Sequence, residues 1–153
     1  MSDQHHYVLD LHWQGEHTRS YESYTREHRI RITGKPELII TADPLFRGDA
    51  SLHNPEDLLL ASLSSCHMLT YLALCARARI NVLSYRDQAE GTLLFTKEGG
   101  GHFTDVVLRP QVVVEEQRTL EKARYFHGEV HKYCFIARSV NFRVTCEAFV
   151  VVR

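Results

Sequence analysis

The chain has little net charge. Its 18 basic and 19 acidic residues leave a formal balance of −1 at neutral pH, so no overall field draws it to nucleic acid or to an anionic membrane. Arginine outnumbers lysine, but the arginines are scattered, as on a solvated surface. No C-x-x-C pair occurs, which removes the zinc-ribbon and thioredoxin signatures together. The polar opening from Met1 to Asp10 lacks a basic start followed by an apolar run, so a signal peptide is not expected. No stretch reads as long and uncharged enough to span a bilayer. Internal repeats, low-complexity tracts and interdomain linkers are also missing. These absences point to a soluble cytoplasmic chain, residues 1–153, organised as a single domain, with no membrane and no nucleic acid among its partners.

The 153 residues are 44% hydrophobic, enough for one proper core. Tyr7 to Trp13 alternates bulky apolar residues with the period of a half-buried strand. Glu27–Thr33 and Leu38–Thr41, joined by Gly34-Lys35-Pro36, read as a hairpin, and a loop marked by Pro44, Gly48, Asp49, Ser51 and Asn54 follows. Asn54-Pro55-Glu56-Asp57 has the composition of a helix start: a capping amide, a proline for the first helical position and two carboxylates for the positive end of the dipole. From Leu58 to Ala76 the residues are apolar or small on every face, which predicts a helix buried all round. Strand-like runs at Val82–Phe95 and His102–Val114 flank a glycine-rich turn and predict a long hairpin. Thr119–Lys132 returns to helical spacing, and Asn141–Val152 alternates as a final strand with Phe142, Val144, Cys146, Ala148 and Val150 on one face. The segregation of strands and helices predicts an α+β fold with antiparallel pairing. A helix apolar on every face needs more cover than one short sheet supplies, so a homodimer burying the central helices is expected.

Four cysteines, at 66, 75, 134 and 146, are too few and too widely spaced for a disulfide-stapled miniature domain. Cys146 lies on the apolar face of the last strand and reads as a small buried hydrophobe. Cys75, nine residues after Cys66, points roughly opposite to it around the helix. Cys66 sits in Ser64-Ser65-Cys66-His67, where polar side chains interrupt a run of leucines, and these are costly in a core unless satisfied or used. Cys134 follows a helix whose last turns carry His127, His131 and Lys132, cations that would lower a nearby thiol pKa. Pattern alone leaves a functional Cys66–Cys134 pair and simple core filling both open.

Asn54-Pro55-Glu56-Asp57-Leu58-Leu59-Leu60-Ala61, then Ser65-Cys66-His67 ten residues after the glutamate, the helix ending at Cys134 and the His12-Trp13-x-Gly15 opening together resemble the OsmC/Ohr family of osmotically induced and organic hydroperoxide resistance proteins. The resemblance implies a thiol-dependent peroxidase, an intertwined homodimer whose antiparallel sheets wrap around central cysteine-bearing helices, and active sites at the subunit interface. Family members often carry proline after the second cysteine; here Phe135 stands there. For the arginine that the family places near its reactive thiol, Arg47 in Phe46-Arg47-Gly48-Asp49 is the choice and Arg19 the fallback.

Peroxide reduction needs a thiolate to attack the O–O bond. The resemblance nominates Cys66 as that nucleophile, Cys134 as the thiol that resolves its sulfenic acid to a disulfide, and Glu56 as the carboxylate that an arginine would hold beside the thiolate. Ten helical residues separate Glu56 from Cys66 by about 15 Å on a straight helix, so one site could use both only through a kink, a long arginine bridge or the partner subunit. No cofactor is called for. The disulfide would be returned by an external dithiol, for which the resemblance suggests a dihydrolipoyl group or a small dithiol. Leu63 and Met68 would favour an organic hydroperoxide over hydrogen peroxide. Two other readings stand beside this one. His127 and His131, four apart, could join Cys66, His67 and Cys134 as soft metal ligands, giving a zinc-binding protein. A non-catalytic small-molecule binding protein on the same dimeric scaffold would leave the thiols idle. Acyl transfer is a weaker third possibility, because His67 points about a third of a turn from Cys66.

Overall fold

The computed structural model describes residues 3–153. The chain divides between Leu59 and Leu60 into two compact units.

The first unit carries a three-stranded antiparallel sheet in the order β1 (Asp10–His12), β2 (His28–Arg31), β3 (Leu38–Ile40). The expected β2–β3 hairpin is present. Leu38 pairs with Ile30 and Ile40 with His28, and Gly34, at φ 78°, supplies the left-handed residue of its turn. β1 is shorter than the Tyr7–Trp13 run because Tyr7 and Val8 lie 94% and 81% exposed, with nothing to alternate against. Trp13 instead donates its indole N–H to the Thr25 carbonyl at 2.8 Å. The following loop tightens into a single 3-10 turn, Pro44–Phe46, whose Asp43 carboxylate accepts from the Leu45 amide at 2.8 Å. Gly48 closes this loop, and a β-carbon there would stand 1.6 Å from the Ala42 carbonyl oxygen. Only glycine permits that approach.

Helix α1 runs from Pro55 to Arg77. Asn54 caps it reciprocally: its side-chain oxygen accepts from the Asp57 amide at 2.8 Å while its own amide donates to the Asp57 carboxylate at 3.3 Å. By length and composition alone α1 could cross a bilayer, contrary to the expectation that no stretch would suffice. It is also not buried all round within this chain. Leu63, His67, Tyr71 and Cys75, spaced by four, form one buried row, whereas Leu69 is 60% exposed. Arg79, at φ 57°, takes the left-handed position that ends the helix, and the Ile80 amide returns to the Cys75 carbonyl at 2.9 Å.

The second unit sets the rest of α1 with two three-stranded sheets and helix α2. The predicted long hairpin forms, but it is folded across both sheets. β4 (Val82–Asp87) pairs antiparallel with β7 (Pro110–Val114), and β5 (Glu90–Phe95) pairs antiparallel with β6 (Gly101–Leu108). The Asp87 carboxylate sits where the strands change sheet, accepting from the Arg109 amide at 2.7 Å and from the Ser64 hydroxyl at 2.5 Å. The last predicted strand is two: β8 (Arg143–Cys146) and β9 (Phe149–Val152). They complete the sheets β5-β6-β8 and β4-β7-β9, and both outer pairings are parallel. The fold is therefore α+β with mixed sheets, a correction to the purely antiparallel expectation. α2 (Leu120–Glu129) is flanked by 3-10 turns at Gln117–Thr119 and Val130–Lys132. The main core joins Tyr71 and Cys75 of α1 to Val112, Val114 and Val150 of one sheet and to Ala123, Val130 and Cys134. A smaller cluster joins Leu63 to Val106 and Leu108.

Candidate functional site

Cys66, on α1, is half-buried and packs against the core cluster that contains Cys134. Cys134 is only 1% exposed. It follows the 3-10 turn after α2, with its amide bonded to the Val130 carbonyl at 2.9 Å. The two thiols are brought together in this core, and all four cysteines are free. Burial, then the neighbouring Cys66 thiol, pushes the Cys134 thiol up to about 11, although the Ala137 and Ile136 amides pull the other way. This overturns the expectation that neighbouring cations would lower it. His127 is buried and neutral, His131 turns its Nδ1 to the Gly128 carbonyl at 2.5 Å, and Lys132 pairs with Glu129 at 2.8 Å. The feature missed from the sequence is the turn after Cys134, whose Ala137 and Ile136 amides partly offset the effect of burial on the thiol. Phe135, in the place where proline was looked for, is 79% exposed.

The polar run before Cys66 is satisfied residue by residue. Ser64 donates to Asp87, Ser65 is exposed, and His67 meets His127 across α1 and α2, Nε2 to Nδ1 at 3.1 Å. Burial pushes His67 down to about 4 against the opposing effect of Asp87. Burial and then the neighbouring His67 push His127 down to about 3. Cys146 is not the simple core filler expected. It is half-buried at the end of β8 with Sγ 3.6 Å from His67 Nε2 and 3.8 Å from His127 Nδ1. Burial, then Asp87 and Glu147, pushes its thiol up to about 12. Cys75 is buried, as expected, and burial raises its thiol too. A cavity of about 410 Å³ in the second unit is lined by His67, His127, His131, Cys134, Cys146 and Arg124 among others. Cys66 does not line it.

Arg47, Arg19 and Glu56 belong to the first unit. Arg47 is exposed, in a left-handed backbone position at φ 64°, with its guanidinium 5.9 Å from the centre of the Tyr21 ring. Arg19 is exposed, and Glu56 is half-buried in the first turn of α1.

An α+β unit with mixed sheets, a cysteine-bearing helix and a second thiol in the core cluster against it defines a recognisable class. A family model for OsmC-like proteins matches residues 48–148, and the chain belongs to that family. Among solved structures it is similar to an OsmC-like protein of unknown function from Vibrio cholerae, at 32% identity and TM-score 0.85, covering 95% of this chain and 100% of that one. The fold is shared with an organic hydroperoxide resistance protein OsmC from Legionella pneumophila, at 17% identity and TM-score 0.71, with 97% and 98% of the two chains covered. An uncharacterized protein of Bacillus subtilis, YmaD, is 24% identical over 143 residues, 92% of this chain and 89% of that protein.

Proposed function

We propose that the chain is a thiol-dependent peroxidase that reduces organic hydroperoxides, with Cys66 as nucleophile and Cys134 as resolving thiol. The observation that supports this reading most directly is the packing of Cys66 against the core cluster that holds Cys134, two thiols drawn from separate parts of the chain. Their order follows from their settings. Cys66 is the more accessible, and Cys134 is held as a neutral thiol that is the poorer nucleophile at neutral pH.

The Cys66 thiolate attacks the terminal oxygen of the hydroperoxide; the S–O bond forms as the O–O bond breaks, and the alkoxide leaves and takes a proton to become the alcohol. Cys134 sulfur then attacks the sulfenic acid sulfur, and its proton leaves with the displaced hydroxide as water. An external dithiol reduces the disulfide by exchange. Arg47 with Glu56 is the assigned activating pair, because an arginine fork can hold a thiolate and a carboxylate together. The working form is a homodimer, which the 60% exposed Leu69 in the middle of an apolar helix supports, and a reducing cytoplasm would keep the thiols ready.

The test is one equivalent of cumene hydroperoxide added to the reduced protein, followed by intact and peptide mass analysis. Loss of two hydrogens mapped to Cys66–Cys134 is expected. Unreacted thiols, or oxidation spread equally over Cys75 and Cys146, would replace the peroxidase with a binding protein.

A further inference from the structure

Apart from the Cys66–Cys134 pair, three ligand-type atoms from three different elements converge at the wall of the cavity. His67 Nε2 from α1 and His127 Nδ1 from α2 are 3.1 Å apart, and Cys146 Sγ from β8 lies 3.6 and 3.8 Å from them. A tetrahedral zinc ion with ordinary Zn–N and Zn–S bond lengths sets its ligand atoms about 3.3 Å apart for N···N and about 3.6 Å apart for N···S. The triangle already has those edges to within a few tenths of an ångström.

We propose that His67, His127 and Cys146 form a three-ligand site for a divalent cation of the zinc class, with the fourth coordination position opening onto the cavity. Two imidazoles and one thiolate are a borderline-soft donor set of the kind such an ion selects. Three protein ligands with one position left for water or another small ligand is the arrangement of an open rather than a closed site. Both imidazoles are held neutral by burial, the form in which a ring nitrogen ligates. His127 offers no other polar contact: its Nε2 is buried without a hydrogen-bond partner among the described residues, so the ring's polar chemistry is concentrated at Nδ1. Binding would release the Cys146 thiol proton to solvent as the metal–sulfur bond forms. This set differs from the one suggested by helical spacing. His131 is directed to the Gly128 carbonyl, and Cys66 packs against the core cluster of Cys134.

The experiment titrates the reduced full-length chain, purified without an affinity tag, with Co²⁺. One ion per chain is expected, with a near-ultraviolet thiolate-to-cobalt band and tetrahedral visible bands, all displaced by one equivalent of Zn²⁺. Cys146→Ser should lose the thiolate band while Cys66→Ser and Cys134→Ser keep it, with circular dichroism verifying that each variant is folded. X-ray absorption of the unmodified zinc-loaded chain provides a reading free of substitutions, with one sulfur and two imidazole nitrogens expected among the nearest scatterers. Substoichiometric binding, a band that survives Cys146→Ser, or a sulfur-free shell would each overturn the site. Loss of the Cys66–Cys134 peroxide reaction would not, since neither residue is a ligand.

Discussion

Tyr71 stacks on His127, with ring centroids 3.9 Å apart and planes 12° from parallel. The pair ties α1 to α2 in the middle of the main core, where Tyr71 has no exposed surface. Burial, reinforced by Cys75, holds its hydroxyl well above the ordinary tyrosine range. Tyr71→Ala should cost about 3–5 kcal/mol, the usual range for deleting a buried ring. Tyr71→Phe keeps the stack and removes a buried hydroxyl that has no hydrogen-bond partner among the described residues, so it should cost under about 1 kcal/mol. Urea unfolding followed by circular dichroism checks both values; equal losses in the two variants would mean that the hydroxyl, not the ring, carries the contact.

Asp87 joins a helix hydroxyl to a strand corner through Ser64 and the Arg109 amide. Asp87→Ala leaves both donors without their partner and should destabilise the chain by about 1–3 kcal/mol. Asp87→Asn keeps an acceptor for the Arg109 amide and should lose less. The same unfolding titration reads the difference, and an Asn variant as damaged as the Ala variant would show that charge matters more than the bond to the corner.

If Cys66 attacks and Cys134 resolves, Cys134→Ser should stop the cycle after one step. The variant is expected to consume one equivalent of cumene hydroperoxide, gain one oxygen in mass and become labelled at Cys66 by dimedone, while Cys66→Ser takes up none. Sustained dithiol-driven turnover by Cys66→Ser would reverse the assignment.

How much of this was readable in the sequence depends on how local each feature is. The start of α1 was legible because Asn54, Pro55 and Asp57 act within one turn, and the β2–β3 hairpin because Gly34 marks its bend. The parallel pairings of β8 and β9 were not, since an alternation of period two fixes which face is buried but neither partner nor direction. The break between β8 and β9 was hidden for the same reason, as Val144 and Val150 keep the alternation across it. The meeting of Cys146 with His67 spans 79 residues, a juxtaposition that no local spacing encodes. Cys134 was misjudged because a helix end rich in basic side chains suggested a lowered pKa. Which of those side chains reach the sulfur, and which are buried neutral, is decided only by packing.

The raised Cys134 thiol makes stability depend on alkaline pH. In the unfolded chain this thiol loses its proton near its ordinary value of 9.0, whereas in the fold it keeps the proton until about 11. Below pH 9 both states are protonated and the preference for the neutral thiol is fully present. Between pH 9 and about 11 the unfolded chain releases a proton that the folded chain retains, so the unfolded state gains and stability falls as pH rises. Cys75 and Cys146, raised in the same direction, add to the loss. Cys134→Ala removes one contribution. Its own packing cost is independent of pH, so the gap in melting temperature between wild type and variant, measured under reducing conditions, should narrow from pH 9 to pH 11. Parallel curves across that window would mean that the Cys134 thiol titrates as it does in the unfolded chain, and that its burial against Cys66 does not hold the proton.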